Sequence, residues 1–138
     1  MSLTVKELCS LAIKARESSY SPYSGVRVGA ALLAGSGKVY TGCNIENAAY
    51  SPTVCAERVA FFKAISESEK VFTAIAIAGG ASDTPDGEFP PCGVCRQVMS
   101  EFVDANTFKV YLIKNENEYT ELSLTELLPY GFGKGNVK

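Results

Sequence analysis

The sequence contains no histidine among its 138 residues. This absence excludes Ser-His-Asp and Cys-His catalysis within the chain, and it excludes any metal site that needs an imidazole ligand. No apolar run approaches the roughly 18 to 20 residues that span a bilayer, and the longest stretches, near residues 29–34 and 71–81, have the length of strands. The N-terminus lacks the charged segment followed by an apolar segment of a secretory signal, so we expect no such signal.

The charges nearly balance, and neither sign forms a block. There are 13 basic and 15 acidic residues, interspersed along the chain, for a net charge of −2. Because a duplex-binding protein normally carries a basic stripe, we expect no nucleic-acid partner. The composition, 46% hydrophobic and 20% charged, is that of an ordinary globular protein. We therefore expect residues 1–138 to form one domain with no membrane partner.

The chain has five cysteines: Cys9, Cys43, Cys55, Cys92 and Cys95. An odd number without a secretory signal argues against a disulfide scaffold, so we expect a reducing compartment, the cytoplasm. Cys9 lies in the first predicted helix and Cys43 in a predicted strand, and we interpret both as small core residues.

Apolar spacing and turn signals predict an α/β domain. The predicted order is helix, strand, strand, helix, strand, helix, strand, over residues 4–18, 26–34, 38–45, 51–65, 71–78, 92–102 and 108–113. Thr4 with Glu7 and Ser123 with Glu126 match capping boxes, and Ser51-Pro52 offers an N-cap and a first-turn proline for the second helix. Residues 118–122 favour an additional edge strand. Helices should cover both faces of a mixed sheet.

Cys55, Cys92 and Cys95 match the ligand pattern of a catalytic zinc ion. Cys55 is expected in the first turn of one helix, and the Cys-x-x-Cys pair opens another. Positive helix N-termini favour thiolates at both places. Three protein ligands leave the fourth tetrahedral position for water, whereas a structural zinc site normally has four.

Two charged residues follow Cys55 directly. Glu57 is positioned to take a proton from water at the metal and to return it elsewhere, as a general base and acid. Three thiolates give the zinc centre a net negative charge, and Arg58 is the nearest cation. We interpret Arg58 as a donor to thiolate sulfur that tunes the metal.

The cysteine motif is one of six characteristic segments that cover nearly the whole chain in order: Pro22-Tyr23-Ser24, Val28-Gly29-Ala30-Ala31, Asn44 to Tyr50, Cys55-Ala56-Glu57-Arg58, Pro91 to Gln97, and Leu127 to Phe132. Zinc deaminases carry H-x-E…P-C-x-x-C or a variant with cysteine as the first ligand. With these segments the chain resembles the small, homotetrameric, zinc-dependent cytidine deaminases. The resemblance implies a three-layer α/β/α fold with about five strands, and hydrolysis of cytidine and deoxycytidine in pyrimidine salvage.

The resemblance also implies the residues that contact the nucleoside. Asn44 and Glu46 would hold the ribose, since residues at i and i+2 of an extended segment point the same way, with the intervening Ile45 facing the core. Ala56 would contact the substrate, and Phe132 would pack at the site of a neighbouring subunit in a homotetramer. Many relatives have Phe where this chain has Val26, which removes one aromatic contact near the base.

Three other functions fit parts of this pattern. A deaminase for another aminopyrimidine, such as a nucleoside antibiotic, would keep the metal site without needing Asn44 and Glu46. A polynucleotide-editing deaminase would usually have a histidine ligand and a basic surface. A non-enzymatic zinc or thiol-redox module would need neither Glu57 nor an open fourth position.

Overall fold

A five-stranded mixed sheet forms the centre of the molecule, seen in a computed structural model that describes residues 3–137. Its strands are β1 (Gly29–Ala34), β2 (Val39–Cys43), β3 (Phe72–Ala78), β4 (Lys109–Ile113) and β5 (Tyr119–Ser123). Their spatial order is β2-β1-β3-β4-β5, and every neighbouring pair is antiparallel except β3 and β4. The mixed sheet and its edge strand β5 confirm the prediction.

Helices cover both faces of this sheet, as the three-layer prediction required. They are α1 (Val5–Ala15), α2 (Ala56–Ser66), α3 (Gly93–Phe102) and the short α4 (Leu124–Leu127). Helix α1 packs on one face, and the other three pack on the opposite face. Both predicted capping boxes are present, at Thr4 with Glu7 and at Ser123 with Glu126. Within residues 3–137, no helix has the length and hydropathy to cross a membrane.

The two faces of the sheet differ in the size of their side chains. Below α1 the central strands present mainly alanines: Ala31, Ala74, Ala76 and Ala78. A Cβ on Gly29 would lie 2.1 Å from the Ala12 carbonyl oxygen, so α1 approaches β1 closely. The opposite face presents larger residues, among them Leu32, Ile75 and Ile77. Helices α2 and α3 therefore rest on the bulkier half of the core.

The chain path brings two helix N-termini to one edge of the sheet. Helix α2 leads into the start of β3, and α3 follows the end of β3. A helix that directly precedes or follows a strand and packs against its sheet runs antiparallel to that strand. Both N-termini consequently lie at the carboxyl end of β3.

Four details of the sequence prediction are wrong. The second helix does not begin at Ser51-Pro52, because Val54 pairs with Ile45 and keeps the chain extended up to Cys55. Cys55 is thus the N-cap rather than a first-turn residue. Ile45 does not face the core, since β2 has already ended and its side chain is 43% exposed. Of the two interpreted core cysteines, Cys9 is buried, whereas Cys43 is only half-buried.

Candidate metal centre and active site

Three cysteine sulfurs lie together at the N-termini of α2 and α3. Cys55 is the N-cap of α2, Cys92 is the N-cap of α3, and Cys95 lies one turn into α3. The Cys92 sulfur is 3.7 Å from that of Cys55 and 3.5 Å from that of Cys95. All three sulfurs lie within 4.8 Å of one another.

This cluster fits a zinc ion. A zinc–sulfur bond of about 2.3 Å in a tetrahedron places two sulfurs about 3.8 Å apart, close to the distances seen here. N-cap side chains usually accept a hydrogen bond from their own helix, yet neither Cys55 nor Cys92 does so. Within residues 3–137, the cluster contains these two thiols and Cys95 but no fourth protein ligand. The donor set therefore leaves one coordination position open.

A neighbouring thiol and the Arg58 cation stabilise the Cys55 sulfur as a thiolate. The Arg58 guanidinium donates from Nη2 to the Cys55 sulfur over 3.5 Å. Hydrogen bonding with Cys95 and with Arg58 lowers the pKa of Cys55, and the hydrogen bond to Cys55 raises the pKa of Arg58. The two helix dipoles add positive potential at the same point. The local field therefore suits an anionic ligand set.

Glu57 lies buried beside the cluster in the first turn of α2. Its side chain is 4% exposed, and Oε1 has no hydrogen-bond partner anywhere in the described part of the chain. Burial, followed by the negative charge of Cys55, raises the pKa of Glu57 to about 7. An unpartnered buried carboxyl oxygen costs free energy. Such an oxygen facing a cavity is typical of a group that meets a ligand or moves a proton.

A cavity of about 200 Å³ opens onto these groups. Its lining includes Cys55, Glu57 and Cys92, together with the polar side chain of Asn44. Ala56 lines it between Cys55 and Glu57, where a larger side chain would reduce its volume. The remaining walls are mainly apolar and include Val28, Val54, Phe89 and Pro90. An apolar slot with a few polar groups at one end is the usual form of a small-molecule site.

Sequence reasoning missed the apolar walls of this cavity. Phe89 is the one aromatic residue in the polar Gly79–Pro91 segment, directly before the cysteine motif. That contrast with its neighbours was the signal that could have identified it. Val28 belonged to a predicted strand, and nothing in the pattern distinguished it from a core residue.

Asn44 holds the segment before β1 with its side-chain amide. Its Oδ1 accepts from the Val28 amide at 2.9 Å and from the Ser19 hydroxyl at 2.5 Å, and its Nδ2 donates to the Val26 carbonyl at 2.9 Å. Asn44 is therefore both a cavity residue and a structural support for Val28, which lines the same cavity.

Glu46 lines a different, adjoining cavity of about 360 Å³. Thr53 lines both cavities, so the two are neighbours. Glu46 accepts hydrogen bonds from the Ser24 hydroxyl and from the Tyr23 and Ser24 amides. The Ser24 hydroxyl makes the largest contribution to a lowered pKa for Glu46. This carboxylate thus anchors the 20–25 turn while remaining at the edge of the second cavity.

Phe132 does not line either cavity within the described part of this chain. Its side chain is 61% exposed, and its carbonyl accepts from Gln97 Nε2 at 2.9 Å. The structure therefore brings together Asn44, Ala56, Glu57, Arg58 and the three cysteines, while Glu46 is adjacent and Phe132 is separate.

Comparisons with known proteins agree with this geometry. Residues 3–111 match the family described as "Cytidine and deoxycytidylate deaminase zinc-binding region". A cytidine deaminase from Sporosarcina psychrophila is 48% identical over 135 residues, covering 98% of this chain and 96% of that protein. Another, from Halalkalibacterium halodurans, is 51% identical over 121 residues, covering 88% of each. The crystal structure of cytidine deaminase from Burkholderia pseudomallei is 42% identical with a TM-score of 0.86, covering 94% of this chain and all of that one.

Proposed function

Because this chain belongs to the cytidine and deoxycytidylate deaminase family, we propose that it converts cytidine and deoxycytidine to uridine and deoxyuridine with release of ammonia. The observation that carries the proposal is the meeting of three thiols with the unpartnered, buried carboxyl of Glu57 at one cavity. Cys55, Cys92 and Cys95 would hold the zinc ion, which supplies a Lewis acid that activates water.

Glu57 moves the protons of the reaction. As a water oxygen bonds to C4 of the pyrimidine, Glu57 takes a proton from that water and delivers it to N3. It then transfers the second water proton to the 4-amino group, which leaves as ammonia while C4 becomes a carbonyl. A pKa raised to about 7 supports both directions of transfer, since such a group accepts and returns protons readily at neutral pH.

Arg58 keeps the anionic sulfurs compatible with this chemistry. Its hydrogen bond to the Cys55 sulfur withdraws negative charge from the ligand set. That effect would strengthen the Lewis acidity of a zinc ion held there, which three thiolates would otherwise weaken. Arg58 thus acts through the metal ligands and does not touch the substrate.

The nucleoside extends from one cavity into the other. Its base lies in the smaller cavity against Ala56, whose small side chain leaves room beside Glu57. Asn44 and Glu46 hold the ribose, which is supported by their positions in the walls of two adjoining cavities. A 5′-phosphate would approach the Glu46 carboxylate, so nucleosides are preferred over nucleotides.

A homotetramer completes the site with Phe132 of a neighbouring subunit. The 61% exposure of Phe132 and its absence from the lining of both cavities support this role. The two core clusters share one sheet, which supports a single domain over residues 1–138. Five free thiols support a cytoplasmic location, where the reaction serves pyrimidine salvage.

An activity screen combined with metal analysis tests this function. The purified protein is offered cytidine, deoxycytidine, cytosine, CMP and adenosine, and ammonia release is measured. We expect turnover of the two cytosine nucleosides alone, with about one zinc ion per chain. Turnover of none of the five compounds, or turnover that persists without zinc, would contradict the proposal.

A further inference from the structure

Arg16 is a buried cation that no step of the proposed reaction uses. It follows α1 in a short 3-10 turn, and its side chain is only 2% exposed. Its guanidinium donates to four backbone carbonyls, those of Arg27 (3.1 Å), Gly80 (2.9 Å), Ser82 (2.7 Å) and Asp83 (3.3 Å). Three of these acceptors belong to one segment, which we call the 79–89 loop (Gly79 to Phe89).

The guanidinium supplies the hydrogen-bond donors that this loop conformation requires. A tightly folded loop turns carbonyl groups inward, where they need donors in place of water. The rigid fork of an arginine supplies several donors from one side chain, whereas a lysine ammonium supplies donors without the fork. The Arg27 amide also donates to the Gly80 carbonyl at 3.0 Å, so Arg16 ties the loop to the segment that leads into β1.

The two ends of the 79–89 loop meet at the wall of the smaller cavity. A Cβ on Gly79 would lie 2.4 Å from the Phe89 ring, so this ring rests directly on the Gly79 backbone. The Asp86 amide donates to the Gly79 carbonyl at 3.2 Å and closes the loop further. Phe89 in turn lines the cavity that contains Glu57.

We propose that Arg16 is a positioning residue of the substrate cavity, which holds the 79–89 loop closed and thereby keeps the Phe89 ring in the cavity wall. The cavity's role rests on the proposed function, but the effect of Arg16 on the loop does not. Removal of the guanidinium leaves the Asp83 carbonyl without a donor, and it takes one of two donors from the Gly80 and Ser82 carbonyls. The loop should then open, and Phe89 should leave the position against which the base packs.

Hydrogen exchange and kinetics of matched variants test this proposal. In Arg16→Gln, loop amides should exchange faster, zinc content should be unchanged, and the KM for cytidine should rise by about tenfold or more while kcat changes less. Arg16→Lys should restore part of both effects. Lys14→Gln, which removes an exposed cation from the last turn of α1 without touching the loop, should stay within about twofold of the parent protein.

A double-mutant cycle with Phe89→Ala identifies the route of the effect. If Arg16 acts through Phe89, the Arg16 substitution should raise KM far less in the Phe89→Ala background than in the parent. The cycle is run with Arg16→Lys if Arg16→Gln does not fold. Equal effects in both backgrounds, an unchanged KM with an open loop, or a loop that stays protected would each overturn the proposal. If the parent chain does not deaminate cytidine, the proposed function fails, and exchange of the loop amides still tests the Arg16 contact.

Discussion

The metal centre and the nucleoside-binding residues lie side by side but are built differently. The three thiols and Glu57 lie at the N-caps and in the first turns of two helices that rest on one sheet. The residues assigned to the nucleoside lie outside regular elements. Asn44 and Glu46 follow the end of β2, and Phe132 lies in the C-terminal segment. The first group is complete within one chain, whereas the second is spread over two cavities and an exposed tail.

This difference indicates where substitutions will act. Helix geometry fixes the cysteine and glutamate positions, so a change there removes the metal or the proton transfer itself. Loop residues such as Glu46 are held by a few hydrogen bonds, and a change there alters how the substrate is bound. We therefore expect large losses of kcat in the first region and smaller losses, expressed in kcat/KM, in the second.

Removal of a metal ligand should have the largest effect. In Cys95→Ser, we expect most of the zinc to be lost and deamination to fall below detection, since an alcohol is a poor ligand for zinc. Cys43→Ser, a matched change outside the cluster, should retain zinc and activity. Metal analysis and ammonia release check both variants. A Cys95→Ser protein with full zinc and full activity would contradict the ligand assignment.

Removal of the proton carrier, Glu57, should have the second-largest effect. Glu57→Gln keeps the size of the side chain but cannot accept a proton, so kcat should fall by about 10³- to 10⁴-fold. Zinc content should stay the same, because Glu57 is not a ligand. Glu67→Gln, at the exposed end of the same helix, serves as the control and should be active. A kcat for Glu57→Gln within tenfold of the parent would be incompatible with the proposed role.

Loss of the ribose contact should have an intermediate effect. Glu46→Ala should lower kcat/KM for cytidine by roughly 30- to 1,000-fold, because a sugar hydroxyl loses its charged acceptor. Glu46→Gln keeps one carbonyl oxygen for the Tyr23 and Ser24 amides, and it separates loop anchoring from ribose binding. Steady-state kinetics and zinc analysis measure the result. The assignment is wrong if Glu46→Ala leaves kcat/KM unchanged.

The smallest effect is expected at Phe132. An aromatic ring against the base or sugar contributes about 1 kcal/mol beyond its buried area, so Phe132→Ala should reduce kcat/KM by roughly fivefold or more with zinc unchanged. Val137→Ala, another exposed apolar residue near the C-terminus, should have no comparable effect. Equal kinetics for the two variants would remove Phe132 from the site.

Local signals in the sequence were reliable where short-range physics decides the structure. The capping boxes at Thr4 and Ser123 form as predicted because each involves residues three positions apart. Ser51-Pro52 matched a helix start equally well, yet a pairing between Ile45 and Val54 overrides that signal. No local pattern reports such a pairing, since it depends on where β2 ends.

In the candidate site, too, local features were predictable and contacts between distant segments were not. The Cys-x-x-Cys spacing predicts two of the three metal ligands, Cys92 and Cys95, because it is a property of one helix turn. The third ligand, Cys55, was predicted from the Cys-x-Glu half of the family motif, since it lies on another helix. Arg16 escaped notice, although its spacing from Leu8 and Ala12 places it on the buried stripe of α1, where a cation is unusual. The contact between Phe89 and Gly79 was also unpredictable, because it depends on how a whole loop closes.

A complementation measurement tests most directly whether one chain supplies the chemistry and its neighbour completes the nucleoside site. The Glu57→Gln chain is co-expressed with a chain that ends at Pro129, and the mixed assembly is purified through two different tags. Each variant alone should have little activity, and each should bind zinc. The mixed assembly should be far more active than the sum of the two, because an intact tail then reaches a site with an intact Glu57. Activity equal to that sum would contradict the account and assign the whole site to a single chain.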